Sequence, residues 1–225
     1  MNRLLAFWNI VLDIFFPPLC LGCRRYLNAT EKINLLCDDC RTSIDIYPYP
    51  FRIRPDFMLA AAGSYDNEAL RALIHYFKYE RFLAAEKPLS ELIIKHLKLT
   101  KIAPLDALVI PIPLHVKRLR ERGFNQSELI AKNIAGHFGL KLETEILKRV
   151  INTAPQMAIK DHHERNKNII GSFEVPPNNK SLLTNKTILL VDDVYTSGAT
   201  MHEAARILHR AGAAKIIGAV IAKAG

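Results

Sequence analysis

Two hydrophobic periods alternate along this chain of 225 residues. Short, nearly unbroken apolar runs mark strands covered on both faces, and apolar positions three and four apart mark helices. On this basis 58–65 is a strand. Residues 68–79 form a helix with Leu70, Leu73, Ile74 and Phe77 inward, and 84–97 form a second helix. A buried strand over 107–112 is ended by Pro111 and Pro113. Asn125 opens a helix with Glu128 three residues on, a capping-box pattern, and Gly139 stops it after Phe138. A short strand is expected over 147–151 and a longer one over 187–191. A helix ended by Gly212 and a last strand over 215–222 complete the alternation. The fold class is therefore α/β, a mostly parallel sheet flanked by helices.

Ahead of this body, residues 1–16 carry Leu4, Leu5, Phe7, Trp8, Val11, Leu12, Phe15 and Phe16 as a broad stripe at helical spacing. Asn9 and Asp13 interrupt it, no small-residue cleavage site follows, and the stretch is too short to span a bilayer. The expectation is an amphipathic helix packed on the body or on a partner, in a cytoplasmic protein without a transmembrane segment. Residues 1–46 are read as that helix plus a cysteine ribbon. Residues 47–55, with three prolines, are read as a linker, and 56–225 as the α/β domain. The net charge of +9 favours polyanionic partners or anionic substrates, although a solvated surface charge produces the same balance.

All four cysteines stand in one pattern, Cys20-Leu-Gly-Cys23 and, thirteen residues on, Cys37-Asp-Asp-Cys40. Each Cys-x-x-Cys turn aims two thiolates at one point, and the linker suits a short hairpin that joins the two knuckles. The expected centre is a structural Zn²⁺ held by Cys20, Cys23, Cys37 and Cys40. Two disulfides are the alternative, against which a reducing cytosol argues. A closed four-cysteine site leaves no open coordination position, so the metal holds the fold and does not catalyse. A ribbon of about 30 residues has so little core that the metal is its main source of stability.

The densest chemistry lies in Ile188-Leu-Leu-Val-Asp-Asp-Val-Tyr-Thr-Ser-Gly-Ala-Thr200. In open α/β sheets ligands bind beyond the carboxyl ends of the strands, which places Asp192 and Asp193 at the rim. Thr196, Ser197, Gly198, Ala199 and Thr200 then form a nest of backbone N–H groups opening a helix, suited to a phosphate. The two acids repel that phosphate and suit what it is attached to, such as ribose hydroxyls with Mg²⁺. A Walker B strand also reads as aliphatics and an acid, but it needs a phosphate loop ending in Gly-Lys, and the chain has no Gly-Lys pair. The stretch resembles the 5-phosphoribosyl-1-pyrophosphate (PRPP) loop of type I phosphoribosyltransferases.

A second constellation is Ile110-Pro-Ile-Pro-Leu-His-Val-Lys-Arg-Leu-Arg-Glu-Arg-Gly-Phe-Asn-Gln126. A strand stops at prolines, a loop carries Lys117, Arg118, Arg120 and Arg122, and a helix starts near Asn125. A charge run of this kind is ordinarily a solvated turn. At the carboxyl end of a strand, beside a phosphate site, its arginines can instead meet a pyrophosphate in bidentate fashion. Aromatics that would stack bases are not interleaved with it; only Phe124 is nearby.

The cysteine motif, the basic segment and the PRPP-like loop together resemble the ComF family, also called GntX-like or amidophosphoribosyltransferase-like proteins, over nearly the whole chain. Further matches are Arg71, His75 and Lys78; Arg149, Thr153 and Gln156; and Arg165, Asn168, Gly171 and Phe173, with Ser172 where the family usually has Ala. The resemblance implies a type I phosphoribosyltransferase-like domain, an N-terminal zinc finger and a link to uptake of transforming DNA. The first function it implies is an enzyme that transfers ribose-5-phosphate from PRPP, with Mg²⁺, to an unknown nitrogen acceptor. In that enzyme Asp192 and Asp193 are the catalytic carboxylates. Residues 196–200 cradle the 5-phosphate, and Lys117, Arg118, Arg120, Arg122 and Lys78 face the pyrophosphate. The second is a binding module that senses PRPP, or docks single-stranded DNA and competence or helicase proteins, without turnover. Acceptor specificity is expected from a hood built of residues 47–66 and 153–184.

Overall fold

The computed structural model describes residues 17–152 and 169–225, apart from 81 and 105. The stripe over 1–16 and the family matches Thr153, Gln156, Arg165 and Asn168 lie outside the described residues. The strands are β1 (Phe51–Arg54), β2 (Phe57–Ser64), β3 (Leu108–Pro111), β4 (Lys141–Leu142), β5 (Lys148–Arg149), β6 (Phe173–Glu174), β7 (Thr187–Tyr195) and β8 (Lys215–Lys223). Six of them form one sheet in the order β1-β2-β8-β7-β3-β4, and β5 and β6 form a separate antiparallel pair. Only the β1–β2 pairing in the large sheet is antiparallel. The helices are α1 (Asp38–Thr42), α2 (Glu68–Tyr79), α3 (Glu86–Thr100), α4 (Val116–Arg122), α5 (Gln126–Phe138), α6 (Lys180–Leu183) and α7 (Ala199–Arg210).

Both sheet faces are covered, and the strand residues alternate between them. Leu189 and Val191 of β7 pack with Leu70, Leu73, Ile93 and Ile130 from α2, α3 and α5. Ile188 and Leu190 pack with Ala204 and Leu208 of α7. A parallel strand buried on both sides must be apolar at every position, and this is why 188–191 reads as one uninterrupted run.

Several expectations change. The segment 47–55 is not a plain linker, because it contains β1, whose side chains alternate half-buried and exposed along the sheet edge. Pro50 and Pro55 flank that strand, where missing N–H groups cost no ladder bond. The basic segment 116–122 is helix α4 and not a loop. His115 Nδ1 accepts from Lys117 N–H at 3.2 Å, and Gly123 ends the helix in the left-handed conformation. β7 does not stop at 191 but stays paired with β8 as far as Tyr195↔Lys223. The strand expected over 147–151 narrows to β5, because its partner β6 offers only two residues.

The cysteine ribbon shares its core with the body: Leu27, Leu36, Cys37 and Ile44 bury together with Ala69, Leu70 and Leu73. Gly22 lies so close that a Cβ there would come within 2.9 Å of Cys40 Sγ and 3.4 Å of Ala69 Cβ. Asn67, the N-cap of α2, donates to Ser43 O at 2.7 Å. A Leu19↔Tyr26 bridge closes the first knuckle, and between the two knuckles a turn over Glu31–Ile33 stands in place of the expected hairpin. Glu31 organises that turn from a buried position, accepting from Asn28 N–H, Asp38 N–H and the Arg25 guanidinium. The two backbone donors, with Arg25, hold its carboxyl below the usual range against the opposing effect of burial.

Candidate functional site

The Sγ atoms of Cys20, Cys23, Cys37 and Cys40 all lie within 4.8 Å of one another, with those of Cys23 and Cys37 3.6 Å apart. Tetrahedral coordination with Zn–S bonds of about 2.3 Å sets S···S edges of about 3.8 Å, so the four thiols fit a zinc ion with little movement. Cys37 N–H donates to Cys20 Sγ at 3.3 Å, and Cys40 N–H to Cys37 Sγ at 3.5 Å. Burial raises the Cys20 pKa, but backbone donors at Cys23, Cys37 and Gly22 outweigh it and bring it down to about 6. Cys40 is pushed up, first by burial and then by the neighbouring cysteines. Thiols this crowded ionise together only when a cation shares their charge.

The second site opens where β3 leaves the sheet. The last β3–β7 pairing is Pro111↔Val191, closed by Ile112 N–H donating to Val191 O at 2.8 Å, and Pro113 has no N–H to continue it. β7 runs on through 192–195, paired on one side only. The uncovered side is the wall of a cleft of about 210 Å³. Asp192, Asp193, Thr196, Gly198, Thr200, Lys78, Arg118 and Arg122 border this cleft. Ser197 and Ala199 belong to the same turn but do not border it, nor do Lys117 and Arg120. Helical geometry explains the split among the cations. Arg118 and Arg122 are four residues apart on one face of α4, while Lys117 and Arg120 lie on other faces and are exposed.

On the β7 wall, Ser127 Oγ donates to Asp192 Oδ1 at 2.8 Å, and Asp193 N–H donates to the same oxygen at 2.9 Å. Lys78 Nζ stands 2.8 Å from Asp193 Oδ1. Lys78 thus meets the carboxylate pair and not the arginine group expected for it. Burial, then the Asp193 charge, raise the Asp192 pKa to about 6 against the opposing pull of Lys78 and Ser127. Burial alone would lower Lys78, but Asp193 outweighs it and keeps the ammonium charged. The turn that follows needs its glycine: Gly198 has φ 76°, and a Cβ there would run into the Tyr195 ring. Tyr195 Oη is fixed in turn by His202 Nε2 at 2.9 Å.

The cleft is also bordered by cations. Arg149, carried in by β5, joins Arg118 and Arg122 there; its guanidinium lies 5.3 Å from the Phe173 ring. Burial, then the charge of Arg118, lower its pKa to about 10, and burial and Arg122 lower Arg118. Three guanidiniums that press on one another form a pole that an anion relieves. Arg122 lies 5.4 Å over the Tyr79 ring, so an aromatic does accompany the basic segment, supplied by α2. Arg149, Gln126, Ser127 and Tyr79 were not assigned to the site from the sequence. Gln126 and Ser127 follow once the N-terminus of α5 is placed beside the end of β3, whereas Arg149 and Tyr79 arrive through distant pairings. Among the described residues no helix is long and apolar enough to cross a membrane.

The model of the phosphoribosyl transferase domain family matches residues 126–225, from the start of α5 through β8. Competence protein F of Haemophilus influenzae is 27% identical over 222 residues, covering 90% of this chain and 95% of that protein. DNA utilization protein YhgH of Escherichia coli K12 is 30% identical over 213 residues, covering 88% of this chain and 90% of that protein. Competence protein ComFC of Bacillus subtilis is 27% identical over 194 residues, covering 82% of this chain and 70% of that protein.

Proposed function

The chain belongs to the ComF family of phosphoribosyltransferase-like proteins, and from that premise we propose that it binds PRPP with Mg²⁺ in the β7 cleft and transfers ribose-5-phosphate to a nitrogen acceptor. One observation carries this reading: a carboxylate pair, a glycine turn and three arginines border the same cleft. PRPP has the matching layout, a diol flanked by a phosphate and a diphosphate.

The backbone N–H groups of Thr196, Gly198 and Thr200, the members of the turn that border the cleft, receive the 5-phosphate. Asp192 and Asp193 accept hydrogen bonds from the ribose hydroxyls, with Ser127 orienting Asp192. Arg118, Arg122 and Arg149 take the diphosphate. As the bond from the anomeric carbon to the diphosphate oxygen breaks and the bond to the acceptor nitrogen forms, positive charge grows on the sugar and negative charge on the leaving group. The carboxylates stabilise the first and the arginines the second. Mg²⁺ with PRPP neutralises part of the diphosphate charge. Zn²⁺ at the four cysteines is structural.

The test is calorimetric titration of PRPP and Mg²⁺ into wild type and Asp193→Asn, followed by a screen of nucleobases and amines for PRPP-dependent pyrophosphate release. Binding that Asp193→Asn abolishes supports the site. Absence of binding at millimolar PRPP refutes it, and binding without release under any acceptor leaves a sensor in place of an enzyme.

A second reading, docking of single-stranded DNA, is favoured by one observation on α2. Arg24 lies 5.6 Å over Tyr76, His75 lies 5.1 Å from Tyr79, and Arg122 covers Tyr79, so cations and rings alternate between the ribbon and the cleft. Each stacked base contributes about 1–3 kcal/mol. Tyr76→Ala should therefore weaken oligonucleotide binding about tenfold if this reading holds, and leave PRPP binding unchanged.

A further inference from the structure

Gln126, the first residue of α5, is 1% exposed and borders the cleft. Its Oε1 accepts from Arg122 Nη1 at 3.1 Å. A guanidinium only donates, so the carboxamide has one possible orientation: oxygen toward Arg122 and NH2 away from it. No acceptor among the described residues meets that Nε2. A buried amide donor left unmet destabilises a fold, and an apolar side chain of similar volume would fill the space at less cost. Packing therefore does not account for glutamine at this position, whereas a ligand in the cleft that Gln126 borders does, once a small turn of the side chain brings the enclosed Nε2 to it.

Such a ligand would meet a cationic environment. Arg118, Arg122 and Arg149 border the same cleft, and the positive end of the α5 dipole lies at Gln126 itself. Of the nearby acid Asp192, Oδ1 already accepts from Ser127 and from Asp193 N–H, and Oδ2 is the oxygen left for the ribose hydroxyls. We propose that Gln126 is a specificity-determining residue of this cleft, whose Nε2 donates to a phosphoryl oxygen of a diphosphate held among the three arginines. The inference rests on the PRPP reading above and narrows it. The amide offers only a donor, and a donor binds the charged oxygens of an ionised diphosphate more strongly than it binds a hydroxyl or a protonated phosphate. It also fixes Arg122 on the same ligand, because one carboxamide holds the guanidinium with its oxygen and the phosphoryl group with its nitrogen.

The experiment uses the full chain and titrates Mg²⁺-pyrophosphate and PRPP into wild type, Gln126→Glu and Gln126→Met. Glutamate keeps the acceptor for Arg122 and nearly the same shape but has no donor at neutral pH and adds a negative charge. Its pyrophosphate affinity should fall by roughly 100-fold or more, and that of Gln126→Met by about 10- to 100-fold, the span of a hydrogen bond to a charged acceptor. Melting temperatures without ligand supply the readout that a structural role would not share. Gln126→Met should melt at or above wild type, since the unmet donor is gone. Either variant binding pyrophosphate within twofold of wild type would overturn the inference, as would a lowered melting temperature with unchanged affinity. Should wild type bind neither ligand, the PRPP reading fails and this inference with it. Should wild type bind and the variants match it, only the role of Gln126 is lost.

Discussion

Lys78→Met isolates the electrostatics of the cleft, because methionine keeps most of the stem and removes only the ammonium. The ion pair with Asp193 is 2.8 Å long, with side chains 18% and 12% exposed, so neither charge is well screened by water. Breaking a buried pair from one side costs about 3–5 kcal/mol. For a chain of this size that loss should lower the melting temperature by about 6–20 °C at pH 7. Adding Asp193→Asn to the Lys78→Met background should recover most of it, because the stranded charge is then gone. Scanning calorimetry of the single and double variants decides the matter. A drop below about 3 °C for Lys78→Met, or a double variant that melts no higher than the single one, would refute the reasoning.

Three further outcomes are expected. The purified chain should carry about one Zn²⁺, and Cys37→Ser should release it, as read by metal analysis under reducing conditions; an unchanged metal content would remove the four-cysteine centre. Arg118→Ala and Arg122→Ala should each weaken Mg²⁺-pyrophosphate binding about tenfold, while Lys117→Ala and Arg120→Ala leave it nearly unchanged, because only the first pair shares the cleft-facing side of α4; equal effects from all four would contradict that geometry. Asp192 is raised to about 6, so it is largely protonated at pH 5 and ionised at pH 7.5. The affinity for Mg²⁺-PRPP should rise across that window, and Asp192→Asn should flatten the rise. In the ligand-free protein the same residue contributes stability that is present below about pH 4 and lost as pH rises through about 6.

The strands that carry the site were legible because burial on both faces leaves a long apolar run, and Asp192 and Asp193 stand out as the first polar residues after it. The turn at Gly198 was legible for a similar reason, since a lone glycine among hydroxyls before a helix has a backbone role. Helix α4 was not legible, because its outward Val116 and Leu119 are 55% and 40% exposed and give no apolar stripe. Its ends are set by His115 and Gly123, not by burial. β1 escaped because four residues between prolines are too few to establish a period. The partners of the site residues were the least accessible. Lys78 meets Asp193 across 115 positions, and Arg149 is positioned by Phe173 across 24. Composition identified the cations, but only the fold assigned Lys78 to the acids and Arg149 to the arginine pole.

Helix α2 begins against the ribbon at Ala69 and delivers Lys78 to Asp193 in its last turn. Nine residues separate these two contacts, a rise of about 13.5 Å at about 100° of rotation per residue. The helix therefore acts as a gauge block between the cysteine module and the cleft, and its length is quantised. Deleting or inserting one residue between 69 and 78 would leave the ribbon seated but swing the ammonium a quarter turn or more away from its carboxylate, with Phe77 forced out of the core. Chains built on this plan are therefore held to this number of residues along α2.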